Sequence, residues 1–290
     1  MESTRRILLS AGLLVLCASA ATSAQWLNYK TPGVPRTPDG KPKLDAPAPR
    51  TADGRPDLSG VWMHEVTTVA EFKRLFGALI DEAIKVDVPG MEIGTQHKYG
   101  LNILLDFTPD NSPMRPDTAA AFMKGLSNPA PETLCARGGL PAGFPLAGLL
   151  SEPIKIVQAP RLTMVLYEYG GNHRQIYTDS RKLPADYSLP AYLGYSVGRW
   201  ERDTFVVETA GFNDQTPLDA MGHAHSDQLR VVERFRRRDF GHMDVEMTFD
   251  DPKMYTRPFT VRILHNLMAD DDIFEMFPQN EKDCDRISRR

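Results

Sequence analysis

The chain has 290 residues, 41% of them hydrophobic and 25% charged, which is enough for one or two soluble globular domains. Its formal net charge of −4 provides no basic field, so a nucleic-acid partner is set aside.

Residues 1–24, MESTRRILLSAGLLVLCASAATSA, begin with Arg5 and Arg6, continue as an apolar run from Ile7 to about Ala18, and end in small residues. That order is expected of a cleaved export signal, with Thr22 and Ala24 as the small residues ahead of Gln25. The run is too short to span a bilayer, so no integral membrane segment is expected after cleavage. TRRILL partly matches a twin-arginine signal, with Ser10 where that pattern often has Lys, and general secretory export is the other route. Either route leads to the periplasm or the exterior. Leu16 before Cys17 argues against lipidation. Cys135 and Cys284 remain after cleavage. In an oxidising compartment they are expected to pair, closing a long loop at a gain of ~4 kcal/mol; two unpaired thiols are the alternative. Neither has a second cysteine nearby, which argues against a zinc site.

Residues 25–57 form a Pro-rich linker or surface-wrapping arm with a short repeat, RTPDGKPKL at Arg36 and RTADGRPDL at Arg50. Each copy carries an Asp-Gly turn signal. Residues 58–285 are expected to form a single β-barrel-like domain with a helical and loop insertion at about 66–150, and 286–290 a tail. Gly60-Val61-Trp62 resembles the G-x-W that opens the first strand of lipocalin-like barrels. Thr68 and Glu71 form a capping box, and Phe72, Leu75, Phe76, Leu79, Ile80 and Ala83 mark one helical face, which predicts a helix over 68–86. A shorter helix is expected over 117–126. CARGGLPAGFPLAGLL, within a Pro- and Gly-rich stretch at 87–150, reads as a long ordered loop.

From Glu152 the period changes to that of strands. IKIVQAPRLTMVLYEY reads as strand, turn, strand. NHRQIYTD is a strand, GYSVGRWERDTFVVETAGF a hairpin, and LRVVERFRRRDFGHMDVEMTFDD another. FTVRILHNL and DIFEMF add two more. The fold class is therefore mainly β. Eight or nine strands form an antiparallel meander closing into a lipocalin-like barrel, with one or two helices from the N-terminal half packed on it. An open curved sheet or sandwich is the alternative. Closure removes the edges, and an eight-stranded barrel admits one small ligand.

GRWERDTFVVETAGFND, GHAHSDQLRVVERFRR and DPKMYTRPFTV, together with PDLSGVW and CARGGLPAGFP, are similar to motifs of a large, mostly uncharacterised family of exported bacterial β-rich proteins. The likeness covers most of residues 57–285 and implies no activity. The family's turn is Trp-Glu-Gly-Asp-Thr; this chain has Arg202 at the glycine, so a different turn type is expected.

Alternation places Leu229, Val231, Glu233 and Phe235 on one face. It groups Glu168 with Leu162, Met164 and Leu166, and Glu208 with Val206 and Ala210. A carboxylate on an apolar face needs a partner, and Arg174, Arg199, Arg234, Arg262, Tyr167 and Tyr177 are candidates. One reading is an Arg–Glu ladder across the sheet. The other is a polar pocket in which one Glu is a general base.

Asp214–Gln228 joins two strands and carries His223 and His225 at H-x-H spacing beside Asp214, Asp219, Ser226 and Asp227. Gly222 argues against a regular strand there. A metal site, a catalytic His225 and a hydrogen-bonded or solvated loop all fit. No P-loop, dinucleotide fingerprint or nucleophile elbow stands in its required context.

The expected function is a cofactor-independent enzyme, a lyase or isomerase acting on a small, partly apolar molecule. His225 would move a proton, assisted by Glu233, Glu208 or Asp214. Arg174, Tyr177, Glu168, Trp62 and Tyr255 would hold the substrate, with Tyr255 and Arg257 at a pocket mouth. A non-catalytic periplasmic binding protein for a similar ligand is the alternative, and a metal-dependent enzyme using His223 and His225 a further one. The expected partner is a small molecule, and a homo-oligomer is compatible with the sequence.

Overall fold

A computed structural model describes residues 30–66, 68–77, 97–100, 102–127, 153–168, 172–219 and 221–274. Among these, nine strands close into one barrel in chain order. They are β1 Gly60–His64, β2 Ile154–Ala159, β3 Leu162–Tyr167, β4 His173–Tyr177, β5 Tyr195–Glu201, β6 Thr204–Ala210, β7 Arg230–Arg237, β8 His242–Asp250 and β9 Phe259–Leu267. The expected lipocalin-like barrel is the fold observed. β9 returns to β1, with Trp62 opposite Leu267 and His64 opposite His265. Among the described residues two α-helices accompany the barrel, α1 at Val69–Phe76 and α2 at Pro116–Ser127. The helix expected over 68–86 is described only to its eighth residue, and the loop at 135–150 lies outside the described residues.

The meander is not antiparallel throughout. β4 and β5 are parallel, registered through only two pairs, Ile176 with Ser196 and Tyr177 with Val197. The connection over 178–194 carries Pro184 and Pro190, which cannot donate to a ladder. It runs back the full height of the barrel before β5 begins. DIFEMF is also corrected in part: residues 272–274 are not strand, and the remainder lies outside the described residues.

Pleat alternation sorts the core. Val231, Glu233, Phe235 and Arg237 on β7, Met243, Val245, Met247 and Phe249 on β8, and Phe259, Val261, Ile263 and His265 on β9 are all buried. On β3 the inward residues are Thr163 and Val165, in phase with Tyr167, so the face assigned from sequence is reversed. LTMVL is apolar on both faces, and alternation has no contrast to read there.

One end of the barrel carries the tight turns of β2–β3, β5–β6 and β7–β8, and the 178–194 connection sets out from it. At Arg202 the backbone takes φ 55°, the left-handed conformation open to glycine. The two-residue turn between Glu201 and Thr204 is thus kept, at a steric cost of about 1 kcal/mol. Trp62 seals this end: its Nε1 donates to Leu58 O at 2.9 Å, and the Arg237 guanidinium lies 4.8 Å over its ring. Arg237 also donates to the carbonyls of Asp57 and Phe240, and burial lowers its pKa to about 10.

The two arm repeats fold alike, each closing on its own Gly carbonyl through Arg36 or Arg50. Arg36 then forks onto Asp270 and Arg50 onto Asp203, which straps the arm across the closed end. A cavity of about 670 Å³ lies under the strap, lined in part by Thr31, Val34, Asp57, Lys155 and Met268.

Candidate functional site

The long connections leave the opposite end of the barrel. The insertion after β1, the β6–β7 loop and the β8–β9 loop all meet there, and residues 178–194 arrive there to start β5. Rigid strands that present irregular loops at one end are a usual setting for a site.

Below these loops the interior is polar on one side. Arg174 of β4 and Glu233 of β7 point inward, both buried, and form a two-pronged ion pair. Arg174 Nε donates to Ser196 Oγ at 2.9 Å and Nη2 to Thr209 Oγ1 at 2.7 Å, and the two hydroxyls bond each other at 3.0 Å. Four neighbouring strands thus supply one satisfied network. Tyr167 joins it beside Arg174, and burial raises its pKa. Both oxygens of Glu233 are engaged by a guanidinium, which makes it an anchor for Arg174 rather than a group placed to take a proton.

Arg174 also lines a cavity. The two-pair seam between β4 and β5 leaves an opening of about 300 Å³ whose walls include Gln175, Tyr177, Tyr192, Leu193, Tyr195 and Ser196. The tyrosine hydroxyls are tied to the protein: Tyr177 to Gln175 Oε1, Tyr192 to Gln215 Oε1, and Tyr195 to Leu189 O. Arg181 stacks on the Tyr177 ring at 3.8 Å. Arg174 and Tyr177, both assigned to ligand contact from sequence, line one opening, Arg174 from the inner face of β4 and Tyr177 from the other face.

The other two glutamates are elsewhere. Glu208 points outward, with a side chain 40% exposed and paired with Arg199. It belongs to an external ladder that runs through Glu201 to Arg234 at 2.9 Å. Val206 and Ala210 are buried on that same outer face, which is why the pattern read as core. Glu168 is buried just past β3, where its Oε2 accepts the backbone N–H of Phe274 at 2.7 Å. Asp214 is exposed.

The histidine loop is a closed hydrogen-bond system. His225 Nδ1 faces Ser226 O at 3.1 Å, and a carbonyl only accepts, so Nδ1 carries the proton. Nε2 then accepts from Thr216 Oγ1 at 3.1 Å, which commits both ring nitrogens. Burial lowers the pKa of His225, and the ring stays neutral near pH 7. Ser226 bonds Asp251 through both N and Oγ. His223 differs. Its Nδ1 meets the buried Asp219 Oδ2 at 2.5 Å, and Phe122 of α2 stacks on the ring at 4.1 Å. Asp219 is held in turn by the N–H groups of Ile103, Gly222 and His223. A carboxylate fixed in this way holds the Nδ1–H tautomer and leaves Nε2 as the basic nitrogen. The H-x-H spacing does not bring the rings together. Among the described residues no three His, Cys, Asp or Glu side chains stand where a metal ion would be held.

Two further sequence candidates are packing residues. Trp62 is fully buried at the closed end. Tyr255 is buried with its hydroxyl on Ala224 O at 2.9 Å, and burial, then Asp219 and Asp251, push its pKa far up. Arg257 donates to Asn111 and helps dock the insertion. Cys135 and Cys284, and hence their pairing, lie outside the described residues.

The largest omission from the sequence reading is a second polar group inside the barrel. His64 and His265, cross-strand partners, both turn inward, with His64 Nδ1 and His265 Nε2 sharing a hydrogen bond at 2.8 Å. The ring of His97, from the insertion, lies 4.5 Å from that of His64. Burial holds His97 at about pKa 4 and His265 at about 3; burial and the two neighbouring rings hold His64 well below 6.5. Alternation in FTVRILHNL puts His265 in phase with Phe259, Val261 and Ile263, a signal present in the sequence. Nothing local to HKYG links His97 to it.

No family model, curated protein or solved structure matches the chain.

Proposed function

We propose that the chain is an exported small-molecule binding protein whose ligand sits at the β4–β5 seam. The observation that carries this reading is the 300 Å³ opening between two under-paired strands, with Arg174, Ser196 and three tyrosines on its walls. Its volume is near the lower end of the roughly 300–1,000 Å³ range of small-molecule sites. The carboxylates expected to do chemistry are either outside the barrel or fully paired, which removes the main argument for turnover at Glu208 or Glu233. The export signal read at residues 1–24 supports a periplasmic or secreted location.

Screening the full-length mature protein against aromatic and terpenoid libraries by native mass spectrometry and thermal shift tests this. A ligand at a hundred times its Kd adds about 2.7 kcal/mol to stability, a shift of roughly 5–10 °C for a domain of this size. Tyr177→Ala and Tyr195→Ala are expected to weaken that shift. A hit whose shift is unchanged in both variants would place the ligand elsewhere.

A second reading, a cofactor-independent lyase or isomerase, is favoured by the Asp219–His223 pair, whose geometry suits proton transfer at Nε2. Under that reading the same library yields a product. His223→Ala abolishes it, while Asp219→Asn lowers it by disturbing the tautomer. Binding without product across the library counts against it.

A further inference from the structure

We infer that the seam takes a neutral, flat aromatic molecule with a hydrogen-bonding substituent, such as an aromatic amide or alcohol, and discriminates against carboxylates. This rests on the binding reading above and specifies its ligand. Among the described residues Arg174 is the one Lys or Arg lining the opening, and its charge is already compensated by Glu233; the Arg181 guanidinium stacked on the Tyr177 ring is paired with Asp179. Nε–H is used by Ser196, Nη1 by Glu233, and Nη2 by Thr209 and Glu233. An arriving carboxylate would be desolvated close to an existing buried carboxylate, and would meet a guanidinium whose donors are largely spent. The pair presents a dipole, not a net positive charge.

Apart from the His173 imidazole, the remaining wall side chains carry no ionisable charge near pH 7. Asn172 and Gln175 contribute amides, Ser196 a hydroxyl, and Tyr177, Tyr192 and Tyr195 aromatic rings. With the three hydroxyls bonded to protein atoms, what the tyrosines offer a ligand is chiefly ring surface, which favours offset or edge contacts with another flat ring. The volume restricts the occupant to a compact molecule. An anion held by Arg174 would compete with that guanidinium's own partner, Glu233.

Matched pairs differing only in charge test the assignment. Isothermal titration of the full-length mature protein with benzamide, benzyl alcohol and benzoate at pH 7 is expected to rank both neutral compounds at least about tenfold tighter than benzoate, the equivalent of about 1.4 kcal/mol. Glu233→Gln uncovers the Arg174 charge and is expected to bring benzoate up to or past benzamide. If that variant does not fold, Arg174→Gln/Glu233→Gln keeps a neutral pair and is expected to keep the wild-type ranking. Benzoate binding as tightly as benzamide, in a manner lost in Tyr177→Ala, would overturn the neutral-ligand assignment while leaving the site in place. If none of the three binds at millimolar concentration, or binding ignores Tyr177→Ala, the seam itself is overturned as the site.

Discussion

Glu233→Leu alone is expected to destabilise the fold by about 3–5 kcal/mol, because it strands the Arg174 guanidinium in the barrel with only the neutral hydroxyls of Ser196, Thr209 and Tyr167 beside it. Arg174→Leu should cost a similar amount by stranding Glu233. The double variant Arg174→Leu/Glu233→Leu should recover most of the loss, since Ser196 and Thr209 still bond each other and neither charge remains to be solvated. Glu208→Leu supplies the contrast. Its partner Arg199 is half exposed and keeps Glu201, so a loss of about 1 kcal/mol or less is expected. Urea denaturation of the four variants gives the comparison. Additive single losses, or a Glu233→Leu loss no larger than that of Glu208→Leu, would show that the internal pair is not the anchor described.

Stability is also expected to fall as pH drops from 7 to 4, because of the histidines inside the barrel. His97 and His265 have folded pKa values of about 4 and about 3, against 6.5 when unfolded. Between those values the unfolded chain binds protons that the folded chain does not, so stability falls as pH falls below 6.5 and levels off only below the folded values. Each group contributes up to about 1.4 kcal/mol per pH unit across its window, and His97 therefore about 3 kcal/mol in all. His64 and His265 share a hydrogen bond and titrate as a pair, so their parts do not simply add. His225, also lowered by burial, acts in the same direction. Exposed carboxylates such as Asp179, held at about 2 by Arg181, change protonation lower down, which leaves pH 6.5–5 as the histidine window. Urea midpoints at pH 7, 6 and 5 should fall steadily, and less steeply in His97→Asn. A flat profile would mean that water reaches these rings.

The strands from Ile154 onward were legible because each alternates or ends at a turn signal, and the barrel followed from their number and spacing. The β4–β5 pairing was not legible. Local periodicity defines strands but not their direction, and it was the long Pro-containing return that made this pair parallel and opened the seam. Glu233 was placed correctly, since β7 has sharp contrast between charged and apolar residues. Glu208 was misplaced because Val206 and Ala210 are buried on the outer face. At the candidate site, Arg174 and Tyr177 were identified singly, whereas their shared opening depends on residues 191–196, of which 194–196 read only as the start of a hairpin and 191–193 carry no strand signal. His223 and His225 were seen as a pair by spacing, yet their surroundings are set by partners one to nine residues away or, as with Phe122, in another segment. Those partners divide a seeming metal motif into a ring oriented by Asp219 and a loop tie. The His64–His97–His265 cluster needs three segments that are distant in sequence, and only the His265 face could have been inferred locally.

On the binding proposal, ligand enters at the β4–β5 seam. Photo-crosslinking places it most directly, using the full-length mature protein, a diazirine-bearing benzamide, and peptide mapping by mass spectrometry with benzamide as competitor. Competed labels are expected within residues 172–177 and 191–196, the two walls of the seam. Competed labels at residues 31–34 and 268–272, the walls of the cavity under the arm, would contradict the proposal.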